Sequence, residues 1–187
     1  MPVKRIPAPT AEALIRPVWL RAVITVVFAV VTIFWQDETL TLLKVSVAAY
    51  FVLGATAVWD YAKDEEVVPA VVRGPLALGA AVWVLSGLAT VFVGTTTAAA
   101  VIAGVGFVAM GVAELVSGIR GRREFVPSRD QVLLGAVGTL TGVSLLVGMQ
   151  LDVHGILGIA GMGVIIMAVL LMISGAGLVH EARRESD

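Results

Sequence analysis

The chain has 187 residues, of which 58% are hydrophobic and 14% are charged, and its formal net charge is −1. A soluble globular domain carries about 25% charged residues, so this composition excludes a soluble domain and indicates a membrane protein. Because the sequence has no cysteine, disulfides, thiol catalysis and cysteine-ligated metals are excluded as well.

Six apolar stretches divide the chain, and each approaches the ~20 residues with which an α-helix crosses ~30 Å of hydrocarbon. They cover residues 18–35, 40–59, 75–93, 98–118, 131–149 and 155–179. The first stretch ends without a small-residue cleavage site, so it predicts a retained helix rather than a signal peptide. We therefore predict an all-α membrane protein with six transmembrane helices in a single domain, residues 17–179.

Short segments flank this domain. Residues 1–16 form a predicted irregular arm, or one that holds a brief surface helix from Thr10, and residues 180–187 form a tail. Basic residues stay on the cytoplasmic side of membranes in short loops. Of the 13 Lys and Arg residues, all except Lys44 fall on one side of the predicted zigzag: Lys4, Arg5, Arg16, Arg21, Lys63, Arg73, Arg120, Arg122, Arg123, Arg129, Arg183 and Arg184. This asymmetry predicts a multi-pass protein of the cytoplasmic membrane with both termini in the cytoplasm.

Three residues of the first two spans, Arg21, Lys44 and Tyr50, are candidates for a structural or functional role. Arg21 lies one turn inside the first span, where it either pairs within the bundle or extends its long side chain to the interface. Lys44 lies near the outer face, where Asp37 or Glu38 would neutralise it, or where it would attract anions. Tyr50 is predicted near the middle of the membrane, so its hydroxyl needs a polar partner or a hydrated cavity.

Glu114 is the charged residue that most needs an explanation, because burying an ionisable group in a span is costly unless the group is paired or hydrated. It is predicted ~24 Å along the fourth span, near the cytoplasmic end. One interpretation is a structural ion pair with Arg120, Arg122 or Arg21. The other is a proton-responsive carboxylate that faces a hydrated cleft. The basic cluster around Arg120 is a topology signal that would also contact anionic lipid headgroups.

Glycines are abundant in the last four spans. Small residues let helix backbones approach closely in a membrane, where no hydrophobic force drives helices together. We expect this role for Gly104 and Gly111 in the fourth span and for Gly138 and Gly142 in the fifth. The spacing of Gly138 and Gly142 also matches a dimerisation motif, so the packing is either within one chain or between copies.

His154 is predicted in the third outer loop, beside Asp152 and within reach of Glu38 from the first loop. Histidine changes charge between pH 5 and 8, so His154 is either a proton-responsive group or an ordinary solvated loop residue. Neither His154 nor His180 has a second ligand at the spacing of a metal site, and we predict no metal and no cofactor.

The spans are arranged as three predicted hairpins, because the outer turns are very short and the inner connections are longer and charged. Residues 20–23, 78–81 and 134–137 are similar and recur at offsets of 58 and 56 residues. Such regular spacing predicts repeats of one unit in the same orientation, covering about residues 17–62, 75–124 and 131–184.

The repeated hairpin, the opening residues 18–23 and the run 107–124, with Glu114 followed by a basic exit, resemble the HdeD-type membrane proteins. This short-repeat family is associated with acid resistance. The resemblance spans residues 18–184, although the turns at Gln36-Asp37 and Gly94-Thr95 depart from the Pro-Gly turns usual in the family. It implies a role in acid or envelope stress tolerance.

The sequence holds no nucleophile elbow, phosphate-binding loop or paired carboxylates within a span, so we predict that the protein is not an enzyme. Two alternatives stay open, namely an accessory or assembly subunit of a larger membrane complex and a small channel or carrier for a proton, ion or solute. The expected partners are the lipid bilayer and either further copies of the chain or a larger membrane complex. Nucleic acid is not among them.

Overall fold

Six α-helices account for nearly all the residues that this computed structural model describes, which are residues 6–35 and 37–184. They are α1 (Ala8–Phe34), α2 (Leu40–Ala62), α3 (Ala70–Phe92), α4 (Thr96–Gly121), α5 (Ser128–Val147) and α6 (Val153–Arg184). Each is long and apolar enough to cross a membrane, so the chain is a multi-pass membrane protein. The predictions for the basic residues Lys4 and Arg5, for the turn at Gln36 and for the tail residues 185–187 concern positions outside the described residues.

The helices extend beyond the apolar stretches that predict them. α1 begins at Ala8, so the described part of the arm belongs largely to the first helix and is not irregular. The reason is that Pro7 and Pro9 fall at the start of this helix, where the missing N–H of a proline has no helical partner to lose. At the other terminus α6 continues to Arg184, so the described part of the predicted tail is helical too.

A side-chain oxygen caps the start of each even-numbered helix. Thr39 Oγ1 accepts from the Leu42 N–H at 3.1 Å, and Thr95 Oγ1 accepts from the Ala98 N–H at 3.2 Å. Asp152 Oδ1 accepts from Gly155 N–H at 2.9 Å in the same way. These caps satisfy N–H groups that a helix start leaves without a partner, and they end the short turns sharply.

The helices form a closed ring in chain order, because each packs against the next and α6 packs against α1. Neighbouring helices run antiparallel, as α1 and α6 show. Gly175, late in α6, lies against Trp19, early in α1, and Gly161, early in α6, lies against Thr32, late in α1. The ring therefore has a terminal end, where α1 begins and α6 ends, and an opposite end, where the capped helices begin.

Packing around the ring is uneven. α2, α3, α4 and α5 pack closely in series and form a four-helix unit, and α1 packs closely with α6 to form a two-helix unit. Contacts between α1 and α2 and between α5 and α6 are much sparser. Two of the three predicted hairpins, α1–α2 and α5–α6, therefore span the seams between the units.

The four glycines singled out in the sequence all lie where α4 packs on α5. A Cβ on Gly142 would lie 2.6 Å from the Gly104 carbonyl oxygen, and one on Gly111 would lie 2.8 Å from the Gly135 carbonyl oxygen. Gly138 is less tightly packed, since its Cβ would lie 3.4 Å from the Gly111 Cα. The Gly138 and Gly142 motif thus packs α5 against α4 within one chain.

Replacing Gly142 with alanine tests this interface. We expect Gly142→Ala to lower the free energy of unfolding by about 1–3 kcal/mol, because the added methyl group forces two backbones apart. Thermal unfolding in a mild detergent measures the effect.

Gly158→Ala is the matched control, because a Cβ on Gly158 of α6 would meet nothing within 4 Å. Alanine favours a helix over glycine by about 1 kcal/mol, so this variant should be neutral or slightly stabilised. Equal stability of the two variants would contradict the close α4–α5 packing.

Candidate functional site

One ion pair joins charges that lie inside the bundle. Nη1 of Arg21, on α1, contacts Oε1 of Glu114, on α4, and the two side chains are 11% and 1% exposed. Of the three arginines considered as partners for Glu114, the structure selects Arg21. The Arg21 side chain is directed into the bundle, so the predicted extension to the interface does not occur.

This pair spans the ring, because α1 and α4 are three helices apart in a ring of six. It also links the two-helix unit to the four-helix unit across the sparse seams. The Arg21 guanidinium lies over the ring of Trp83, with its Cζ 5.6 Å from the ring centroid, which adds a cation–π contact. Arg21 is therefore held by side chains on two other helices, Trp83 on α3 and Glu114 on α4.

An aromatic cluster fills the centre of the bundle on the opposite-end side of the pair. Tyr50 lies at its middle, with ring centroids 4.7 Å from Phe28, 5.4 Å from Trp83 and 5.7 Å from Phe107. Phe51 stacks on Trp83 at 5.3 Å. Tyr50, which the sequence places near the middle of the membrane, is therefore buried in a packed layer of five aromatic rings.

The polar atoms of this cluster lie close to polar groups of neighbouring helices. Trp83 Nε1 donates to the Gly106 carbonyl oxygen at 3.0 Å. The side chain of Thr25, on α1, lies near the Tyr50 hydroxyl, and its own Oγ1 donates to the Arg21 carbonyl oxygen at 2.7 Å. Thr25 is therefore the polar side chain in the best position to serve as the partner that Tyr50 was expected to need.

A cavity of about 40 Å³ lies on the terminal-end side of the ion pair, and all six helices contribute to its wall. Its polar lining residues are Arg21, Tyr61, Glu114, Asp130, Gln131 and Ser174. Gln131 Nε2 donates to the Tyr61 hydroxyl at 3.1 Å, and Ser174 Oγ donates to Asp130 Oδ2 at 2.5 Å. Because Asp130 is exposed, it marks the mouth of the cavity at the terminal end.

Four of these lining residues were not predicted from the sequence. Asp130 and Gln131 lie in the first turn of α5. In the sequence they indicate the polar start of a span and not part of a site. Tyr61 and Ser174 lie near the terminal ends of α2 and α6 and carry no local motif. A polar Gln131 inside a predicted span was the one signal that could have indicated the site.

The other predicted residues lie away from the ion pair. His154 Nδ1 lies 2.7 Å from Glu38 Oε2 at the opposite end, and the His154 side chain is 81% exposed. Glu38 thus contacts His154 instead of neutralising Lys44, for which the described residues provide no ion pair. Arg120 is exposed and lies near the terminal end, without an ion pair to Glu114.

Within residues 6–35 and 37–184, no group of three or more His, Asp or Glu side chains could hold a metal ion. No protein-family model, curated protein or solved structure matches the chain. The resemblance to the HdeD type therefore rests on the residues of the chain itself. The buried pair, the aromatic cluster and the cavity are the features of the chain that bear on its function.

Removing one partner of the pair should be far more damaging than removing both. Arg21→Met or Glu114→Leu leaves an unpaired buried charge, so we expect each to lower the free energy of unfolding by about 3–5 kcal/mol. The double variant Arg21→Met/Glu114→Leu should recover most of that loss, because two apolar side chains replace the pair. Reversible unfolding in detergent or bicelles measures all three.

Arg16→Met is the matched control, since the Arg16 side chain is 83% exposed and its Nε lies 3.9 Å from Asp60 Oδ2. A surface pair of this kind contributes about 0–1 kcal/mol. Additive losses in the double variant would contradict a direct interaction between Arg21 and Glu114.

Proposed function

We propose that the chain is a non-enzymatic, multi-pass protein of the bacterial cytoplasmic membrane, of the HdeD type, that contributes to acid or envelope stress tolerance. The observation that carries the proposal is the Arg21–Glu114 pair at the inner end of a cavity with an exposed mouth. Protonation of Glu114 removes the charge with which Arg21 pairs. Because this pair links the two-helix unit to the four-helix unit, protonation of Glu114 would weaken the contact between the two units.

The cavity beside the buried pair is too small to hold a substrate or a cofactor. Substrate and cofactor pockets usually enclose about 300–1,000 Å³, whereas this cavity holds about 40 Å³. The aromatic cluster beyond the pair also argues against a channel, because it fills the centre of the ring where a continuous path for an ion would have to run. Proton-dependent packing fits these dimensions better than catalysis or conduction.

The proposed topology has both termini in the cytoplasm. The terminal end carries the basic residues Arg16, Lys63, Arg73, Arg120, Arg122, Arg129 and Arg184, among others, while Lys44 lies toward the opposite end. An excess of Lys and Arg in short connections marks the cytoplasmic side.

The proposed descent from a repeated hairpin has separate support. The caps Thr39, Thr95 and Asp152 occupy the same place in each hairpin, at the start of its second helix. The three hairpins can therefore share one turn geometry although the helices of each hairpin pack differently.

An accessory or assembly subunit of a larger membrane complex is the second candidate. Almost every described residue is helical, so a partner would have to bind within the membrane. An apolar groove of about 780 Å³ runs along α3 and α4, bordered by Val71, Leu78 and Val112 and ending at Arg120. A foreign subunit that stays bound at fixed stoichiometry after mild extraction would favour this candidate.

Acid survival tests the main proposal. In a bacterium that lacks the chromosomal copy, the wild-type chain should restore survival after an acid challenge, and Glu114→Gln should not, because glutamine cannot pair with Arg21 as a charge.

Arg120→Gln, which removes an exposed arginine on the same helix, should rescue as the wild type does at equal protein level. Equal rescue by Glu114→Gln would contradict the role of the pair. Indifference of the deletion strain to acid and to envelope stress would contradict the stress function itself.

The topology is checked with reporter fusions. A fluorescent protein that folds only in the cytoplasm should be active when fused after Arg184, because this residue ends α6 at the terminal end. Alkaline phosphatase, which is active only outside, should work when inserted at Gly94 between α3 and α4. The reversed pattern would place the termini outside.

A further inference from the structure

We propose that water entering from the terminal end occupies the cavity beside the Arg21–Glu114 pair and gives Glu114 proton exchange with that compartment alone. The site is thus a one-sided water pocket, and its ligand is water together with the proton that water carries. The inference concerns access to the pair and does not depend on the stress function proposed above.

Three buried polar atoms of the cavity wall point to a ligand. Arg21 Nε and Gln131 Oε1 have no hydrogen-bond partner in the described part of the chain, and Glu114 Oε1 has only its ion pair with Arg21. All three side chains are almost fully buried. A guanidinium N–H can only donate and an amide oxygen can only accept, and a water molecule satisfies both. An unsatisfied buried group costs about 1–3 kcal/mol, so occupation of the cavity by water is favourable.

The size of the cavity limits what this ligand can be. One water molecule needs at least about 10–15 Å³ of such space, so about 40 Å³ accommodates two or three. An organic metabolite or a hydrated metal ion is too large for it. The wall also offers water several hydrogen-bonding groups, because Glu114 contributes a carboxylate, Tyr61 a phenol, Gln131 an amide and Ser174 a hydroxyl.

The mouth of the cavity faces the terminal end. Asp130 is exposed there and accepts a hydrogen bond from Ser174, so the seam between α5 and α6 is polar at the point where it meets solvent. The packing between α5 and α6 is sparse. Water therefore has a polar entrance between the two helical units.

The aromatic cluster closes the other direction. Phe107 lies two turns from Glu114 along α4, about 10 Å towards the opposite end, and it packs against Tyr50 and Phe51. Trp83 and Phe28 complete the layer. None of these five rings lines the cavity, and their packing fills the centre of the bundle between Glu114 and the opposite end.

The titratable groups around Glu114 come from three helices. Arg21 of α1 contacts Glu114, Tyr50 and Tyr61 of α2 are near enough to interact with it electrostatically, and Asp130 at the start of α5 lines the same cavity. α3 and α6 contribute Leu76, Leu171, Leu178 and Ser174 to the cavity wall and no titratable group. Combined with the proposed topology, this arrangement means that the pair responds to acidity in the cytoplasm and not in the medium.

Silver ions, which are close in size to water and react with thiols, can test access from each side. The natural chain has no cysteine, so a single introduced thiol is the sole reactive group. Leu134→Cys places that thiol in the cavity wall, and Leu145→Cys is the matched control on the same helix, buried beyond the aromatic layer. Glu12→Cys and Gly94→Cys report the exposed terminal and opposite ends.

Sealed vesicles of each orientation are exposed to Ag⁺, and the thiols that remain are then counted with a maleimide after unfolding. We expect Leu134→Cys to react from the terminal side at least about tenfold faster than Leu145→Cys, and to be protected from the opposite side. Leu171→Cys, in the wall contributed by α6, is a second reporter in case the first variant does not fold.

Two results would overturn the proposal. Reaction of both wall thiols as slowly as Leu145→Cys from either side would mean that the cavity is dry. Reaction from the opposite side as fast as Gly94→Cys would mean that the aromatic layer is open. Acid survival plays no part in this readout, so failure of the stress function and failure of one-sided access are separate outcomes.

Discussion

The arrangement of this bundle depends on one constraint, which is that a carboxylate and a guanidinium inside a membrane protein must meet. The Arg21 and Glu114 side chains are only 11% and 1% exposed, so leaving either one unpaired costs several kcal/mol. The pair therefore fixes how α1, and with it α6, is positioned against the four-helix unit. The sparse contacts along the two seams make this link more important, because few other interactions hold the units together there.

The same constraint explains why the centre of the bundle has two different halves. Towards the opposite end, aromatic rings surround Tyr50 and exclude water. Towards the terminal end, Tyr61, Asp130, Gln131 and Ser174 line a small polar cavity. The charged pair lies at the boundary between these halves. The polar cavity stabilises its charges, and the aromatic layer separates it from the compartment at the opposite end. We consider that boundary, rather than any single residue, to be the feature that a proton-dependent role would use.

The amount that could be predicted from the sequence differs between the fold and the site. The six helices follow from apolar runs of membrane length, which is a local property, and even Arg21 and Glu114 stand out individually. The choice of Arg21 over Arg120 or Arg122 was not predictable, because it depends on α1 and α4 lying opposite each other in the ring. Glu38 illustrates the same limit, since the sequence placed it near both Lys44 and His154, and only the structure shows that it contacts His154. Helix starts were missed where prolines such as Pro7 begin a helix rather than break it.

The account is tested most directly by measuring whether the two charges are in contact in a lipid bilayer. Solid-state NMR dipolar recoupling between ¹⁵N-labelled arginine guanidinium groups and ¹³C-labelled glutamate carboxyl groups detects pairs within about 4 Å, the range of an ion pair. The dephasing should fall in Glu114→Gln and stay unchanged in Arg16→Met, while the contact between Arg73 Nη1 and Glu65 Oε1, 2.6 Å apart, should keep a second component in both variants. A spectrum in which Glu114→Gln changes nothing would contradict the account, because Glu114 would then not be paired in the membrane.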